Sequence, residues 1–248
     1  MMKQKNMISI TLSTLLLISL SGCVQNPVSS PNANNGSRSN TQTGAMIGGL
    51  LGAIVGGTTA DRRGTTGKRV VMGGAIGAAV GAAVGYSLDQ QAQEVAQVLN
   101  TNVDNNPNAE RDKNKDLIVS NTDKHVKIMF RDPMMFRTNS SVPTPSAQAE
   151  IRQMIPVLQK YPKTLIQVVG HTDSRGTYEY NMKLSHARAS SVGNTLHQSN
   201  LPNQIYSKGC SFSKPVAPNT TPTNMALNRR VEIYLYPNQE SVVDPCVK

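Results

Sequence analysis

The stretch Val168–Arg188, VVGHTDSRGTYEYNMKLSHAR, decides how the rest of the chain is read. An apolar run from Leu165 to Val169 ends at Gly170, a polar turn spans His171 to Gly176, and a helical pattern begins near Tyr178. This is strand, loop and helix, with Asp173 on the loop and Arg188 inside the helix. From Met182, the small or apolar residues Ser185, Ala189, Val192 and Leu196 recur at steps of three and four, which makes one buried stripe with Leu184 beside it. At about 100° per residue, Arg188 falls at the margin of that stripe. A cation held at the edge of a core has a partner. The pattern leaves two arrangements open: Asp173 and Arg188 face one small polar ligand, or they pair with each other.

Three ordered motifs, GHTDSRG (170–176), NMKLSHARA (181–189) and NRRVEIYL (228–235), resemble the OmpA-like peptidoglycan-binding domain family in content, order and spacing. The resemblance covers about residues 117–237. It implies an α+β fold, a β-α-β-α-β-β sandwich, and a non-catalytic site for the diaminopimelate of the peptidoglycan stem peptide. By that resemblance Asp173 takes the ligand's ammonium and Arg188 its carboxylate, with Thr172, Asn181, Leu184, Phe136 and Arg229 as further contact positions. The chemistry suits those residue types. A zwitterionic carbon is read by one acceptor-only carboxylate and one planar donor fork, and lysine lacks that fork.

Two departures from the family pattern bear on the pocket. Arg137, just after Phe136, stands where an acidic or neutral residue is expected, which weakens the expectation for that wall. Before NRR the usual basic turn is replaced by Asn224, Met225 and Ala226. Arg229 and Arg230 remain, and either one helps hold a ligand carboxylate or both brace the loop against the protein's own carboxylates.

The 248 residues lack tryptophan and carry a formal charge of +10. That length and composition support one sizeable core with appendages. The basic residues are dispersed and are not interleaved with stacking aromatics, so nucleic acid is a poor partner. Residues 1–22 have a basic start, an apolar stretch from Ile8 to Leu20, and small residues before Cys23, which is a secretory signal too short for a membrane span. The LSGC ending resembles a lipobox, which implies lipidation at Cys23 and stable anchoring by several acyl chains. Val24 after it resembles an outer-membrane address. The expected location is therefore the cell outer membrane, lipid-anchored, with the C-terminal domain in the periplasm.

Residues 23–43 read as a flexible polar tether. In 44–100, glycines recur every fourth position at Gly44, Gly48, Gly52 and Gly56, and again at Gly73, Gly77, Gly81 and Gly85. Each costs about 1 kcal/mol against alanine inside a helix, so aligned glycines point to close backbone packing. This resembles a glycine-zipper helical hairpin, with a helix continuing over 87–100. A membrane-inserted hairpin, an oligomerisation module and a flexible linker all remain open, since fourteen helical residues reach about 21 Å against a hydrocarbon core of about 30 Å. Residues 101–116, rich in Asn, Asp and Lys, read as a linker of up to about 50 Å. The domain is expected over 117–240 and a tail over 241–248.

Within the domain, 117–119 and 126–130 suggest a hairpin, 146–160 a helix disturbed by Pro156, 204–208 a strand, 213–224 a long loop and 228–236 the last strand. Its Val231, Ile233 and Leu235 alternate with Glu232, Tyr234 and Tyr236. The three cysteines fit one lipid site and one bridge, Cys210–Cys246, if the chain is exported; two free thiols are the other reading. The four histidines make no metal set, no cofactor motif is present, and His171 reads as a loop-ordering residue. Asp173 with Glu179 as an acid/base pair is weak, because no motif fixes the second carboxylate. The functional expectation is an outer-membrane lipoprotein anchoring the envelope to peptidoglycan. The alternative is a wall-anchoring part of an envelope-spanning secretion or motility complex, and homo-oligomers fit either.

Overall fold

The computed structural model describes residues 83–247. The signal segment, Cys23, the tether and the glycine repeats up to residue 82 lie outside the described residues. Within 83–247, no helix is long and apolar enough to cross a membrane.

Five strands form one sheet: β1 (Leu117–Asn121), β2 (Val126–Arg131), β3 (Leu165–His171), β4 (Ile205–Gly209) and β5 (Arg230–Tyr236), in the order β1-β2-β5-β3-β4. Only the β3–β4 pair is parallel. The helices are α1 (83–98), α2 (Asp132–Met135), α3 (Pro145–Gln153), α4 (Ile155–Lys160), α5 (Tyr178–His197) and α6 (Pro222–Asn228). From β2 onward this is the expected β-α-β-α-β-β order, with β1 added as an edge strand and short α6 inserted before β5. The expected helix over 146–160 is two helices meeting at Met154, because Pro156 cannot donate into a continuous ladder and starts α4 instead. The expected loop 213–224 ends in helix: Pro222 opens α6, and the Thr221 side chain accepts from the Asn224 N–H.

One face of the sheet carries Val119, Val126, Ile128, Phe130, Ile166, Val168, Val231, Ile233 and Leu235 against the helices. The α5 stripe reads as expected, with Ser185, Ala189, Val192 and Leu196 all buried. Two glycines set how close α5 lies. A Cβ on Gly170 would sit 2.1 Å from the Ser185 carbonyl oxygen, and one on Gly209 would sit 2.5 Å from the His186 nitrogen.

Two expectations are corrected here. The helix ending at residue 98 packs into the domain: Leu88, Ala92, Val95 and Ala96, with Leu99 just after it, lie in the main core. Residues 101–116 are not an extended linker. Val103 bridges Val119 in parallel, Lys115 pairs with Asp104, and Lys127 pairs with Glu110. Arg131 donates to the Glu110 carbonyl at 2.5 Å, and Arg111 donates to the Val216 carbonyl at 3.1 Å. The folded unit therefore includes residues from at least 83 onward rather than starting at 117.

The second face of β5 is also covered. Glu232, Tyr234 and Tyr236 are buried, and the tail lays Val242 and Cys246 over the cluster formed by Leu165, Val169, Cys210, Tyr234 and Tyr236. Cys210 and Cys246 are joined by a disulfide closing a sequence separation of 36. A closed loop of that length stabilises by about 4 kcal/mol, mainly by restricting the unfolded chain. Reduction, or Cys246→Ser, is expected to lower the urea midpoint by that equivalent, and an unchanged midpoint would show that the tail contributes nothing.

His125 packs edge-on against Tyr234 and Tyr236 at ring distances of 5.0 and 5.5 Å. Burial, and then the Lys127 charge, push its pKa down to about 4. The unfolded histidine takes a proton near 6.5, so between about 4 and 6.5 the unfolded state binds more protons. Stability therefore falls as pH drops through that window, by up to about 1.4 kcal/mol per unit for this residue. Urea unfolding at pH 7 and pH 5 is expected to show the loss, and His125→Phe is expected to reduce it, leaving the share of His171, whose pKa burial also lowers.

Candidate functional site

Strand β3 delivers the site loop. Its last residue, His171, is buried in the sheet rather than ordering the loop, with Nε2 3.2 Å from Glu232 Oε2. Burial, followed by the Arg230 charge, pushes His171 down, so the neutral ring donates from Nε2. Thr172 then takes its place through a backbone hydrogen bond to the Ser211 carbonyl at 2.9 Å. Asp173 accepts from the Arg175 backbone N–H at 3.0 Å, a local turn that Gly176 completes at φ 86°. Asn181 ties the loop to the helix, its Nδ2 donating to the Arg175 carbonyl at 2.8 Å. Thr177 caps α5 by accepting from the Tyr180 N–H.

The close approach of α5 to β3 puts Arg188 beside that loop, yet Asp173 and Arg188 do not pair with each other. Arg188 Nη1 lies 2.8 Å from Asp132 Oδ1, its Nε donates to the Ser140 carbonyl at 3.1 Å, and its guanidinium sits 4.9 Å above the Phe136 ring. Asp173 Oδ2 instead takes Arg175 Nη2 at 2.8 Å and Arg229 Nη1 at 2.7 Å. Arg229 also reaches Asp132 at 3.6 Å. The result is an alternating chain of charges: Arg175, Asp173, Arg229, Asp132, Arg188.

Burial would raise the Asp173 carboxyl, but hydrogen bonds from Arg175 and Arg229 outweigh it and hold the carboxyl below its usual range. Burial dominates at Asp132 and raises it, against the pull of Arg188 and Arg229. Arg188 is lowered by burial and sustained by Asp132, and a guanidinium stays charged at neutral pH.

These groups line one cavity of about 820 Å³, with Thr172, Asn181, Leu184, Phe136 and Arg229 on its walls. The seven expected contact positions therefore come together. Asp132 and Arg175 are the functional candidates that sequence reading missed. An acidic or neutral residue is expected at the position of Arg137; that arginine lines the cavity, and the acid on this side comes from Asp132, four residues before Phe136 at the opening of α2. Arg229 and Arg230 divide the two readings offered for them. Strand alternation sends Arg230 to the other face, where its Nε donates to Glu232 at 2.7 Å, while Arg229 braces both pocket carboxylates and lines the cavity. Glu179, the second carboxylate of the acid/base reading, is exposed in the first turn of α5.

Residues 135–229 match the profile of the OmpA family. The match marks an OmpA-family domain over residues 135–229. Residues 1–89 match a second profile, the YMGG-like Gly-zipper. The chain is 36% identical to the probable lipoprotein YiaD of Escherichia coli over 130 residues, 51% of this chain and 59% of that protein. It is 38% identical to outer membrane protein A of Bordetella avium over 108 residues, 43% of this chain and 56% of that one. It thus spans little more than half the length of these relatives. The OmpA-family domain also aligns with the solved peptidoglycan-associated lipoprotein of Burkholderia pseudomallei at 31% identity and a TM-score of 0.37, over 41% of this chain and 87% of that one. All five motif positions of the OmpA-family domain singled out on the loop and α5, namely Thr172, Asp173, Asn181, Leu184 and Arg188, line its cavity.

Proposed function

We propose that this chain is a non-catalytic outer-membrane lipoprotein that holds the cell wall by taking the diaminopimelate zwitterion of a peptidoglycan stem peptide into the cavity. The alternating chain of charges carries this reading. A ligand that brings one ammonium and one carboxylate on the same carbon enters such a chain by exchanging partners, and the one charge it releases is that of the exposed Arg175, which turns to solvent. Its ammonium meets Asp173 in place of Arg175, and its carboxylate meets the Arg188 and Arg229 forks. Phe136 and Leu184 supply the apolar walls that exclude water from those bonds. Relatives described as a probable lipoprotein and an outer membrane protein support the location, with Cys23 as the acylated residue and the described domain on the periplasmic side.

The test is co-sedimentation of the full-length protein, in detergent, with purified sacculi. The wild type is expected in the pellet, free meso-diaminopimelate is expected to release it, and Asp173→Ala is expected to stay in the supernatant. Wild type left in the supernatant would sink the reading. Dye-labelled sacculi are expected to release no dye, and release would overturn the non-catalytic part alone.

A further inference from the structure

The groups assigned to the zwitterion, Asp173, Arg188 and Arg229, are only part of the cavity's lining. At about 820 Å³ the cavity is in the upper part of the range of roughly 300–1,000 Å³ that encloses whole drug-sized ligands. Its charge is also unbalanced. Asp132 and Asp173 face Arg137, Arg175, Arg188 and Arg229, and a zwitterion, being neutral, leaves that surplus in place. Arg175, Arg188 and Arg229 are each spent on a pocket carboxylate. Arg137 is not: its side chain has no hydrogen bond or ion pair among the described residues.

Its position is nevertheless set. Phe136 is buried and its N–H bonds the Asp132 carbonyl at 2.9 Å; the Arg137 carbonyl accepts from the Ser140 N–H at 3.0 Å; Phe136 bridges Pro143; and the Ser140 carbonyl is held by Arg188 itself. The turn that presents Arg137 is therefore fastened to the same guanidinium that the proposed function assigns to the ligand.

We propose that Arg137 forms a second anion subsite, which takes the free carboxylate of the residue preceding diaminopimelate, so that the domain prefers stem peptides bearing two neighbouring carboxylates. This rests on the wall-binding reading above. An unspent planar fork on the wall of a cation-rich cavity is suited to a carboxylate, which accepts two charge-assisted bonds side by side, whereas a neutral amide offers it one acceptor oxygen and no opposite charge. The residue that departs from the family pattern thus sets specificity within the site instead of weakening it.

The test uses the full-length protein and two synthetic stem tripeptides ending in meso-diaminopimelate, identical except that the carboxylate of the preceding residue is free in one and a carboxamide in the other. Each competes for binding to sacculi against wild type and Arg137→Gln. Arg137 is exposed and unpaired, so Arg137→Gln is expected to fold as the wild type does. The wild type is expected to prefer the free acid about tenfold, the scale of one charge-assisted contact. Arg137→Gln is expected to lose that preference while binding the carboxamide peptide as the wild type does. Wild type that binds both peptides alike, or Arg137→Gln that keeps the preference or weakens both equally, overturns the subsite and leaves the wall reading standing. Wild type that binds sacculi but neither peptide overturns both the stem-peptide reading and the subsite.

Discussion

Arg188→Ala is expected to weaken binding to sacculi by at least about thirtyfold, since removing one partner of a desolvated charge pair costs about 2–5 kcal/mol. Two losses combine. The ligand carboxylate loses its fork, and Asp132, which Arg188 holds at 2.8 Å, is left as a buried anion with only the 3.6 Å contact from Arg229. Arg188→Lys is expected to fall between wild type and alanine. One ammonium cannot bond Asp132, the Ser140 carbonyl and a ligand together while covering the Phe136 ring. Urea unfolding of each variant separates a lost contact from a lost fold. A folded Arg188→Ala protein that binds within threefold of wild type would exclude this cavity as the wall site.

Glu232→Ala is expected to destabilise the domain by about 3–5 kcal/mol, the cost of stripping one partner from a buried ionic network. Glu232 Oε1 accepts from Arg230 at 2.7 Å, and Oε2 accepts from the Tyr234 hydroxyl at 2.6 Å and meets His171 at 3.2 Å. Its carboxyl is held well below the usual range: full burial opposes ionisation, and Arg230 and then His171 overcome that opposition. Removing it leaves Arg230 buried without an anion and the Tyr234 hydroxyl without an acceptor. The readout is the urea midpoint at pH 7. A loss under about 1 kcal/mol would mean that water reaches the vacated site and that the network is dispensable. Because His171 is two residues before Asp173 and Arg230 follows Arg229, this network also fixes where both site residues leave the sheet.

The elements legible in sequence are those whose pattern is local. Strand β3, the α5 stripe and the break at Pro156 each follow from spacing within a few residues. What was missed depends on partners distant along the chain. Residues 101–116 look like a solvated linker because Asn, Asp and Lys dominate them, yet Asp104, Glu110 and Lys115 are engaged in ion pairs and Val103 adds to the sheet edge. Glu232, Tyr234 and Tyr236 read as the wet side of β5, because nothing local announces that a tail from beyond residue 236 folds back over them. Asp132 was hidden for the same reason. Its role appears only when α2, α5 and the start of β5 converge on one cavity, whereas the motif residues of the loop and α5 could be picked out individually.

The seating of α1 has a mechanical consequence. A pull applied to the chain upstream of residue 83 enters the domain along this helix, and four of its side chains, with Leu99 just after it, are sunk in the core shared with the sheet. Tension is therefore borne by apolar packing beneath the strands, and the first yielding event under force is expected to be extraction of α1 from that core, before any bond in the cavity is strained.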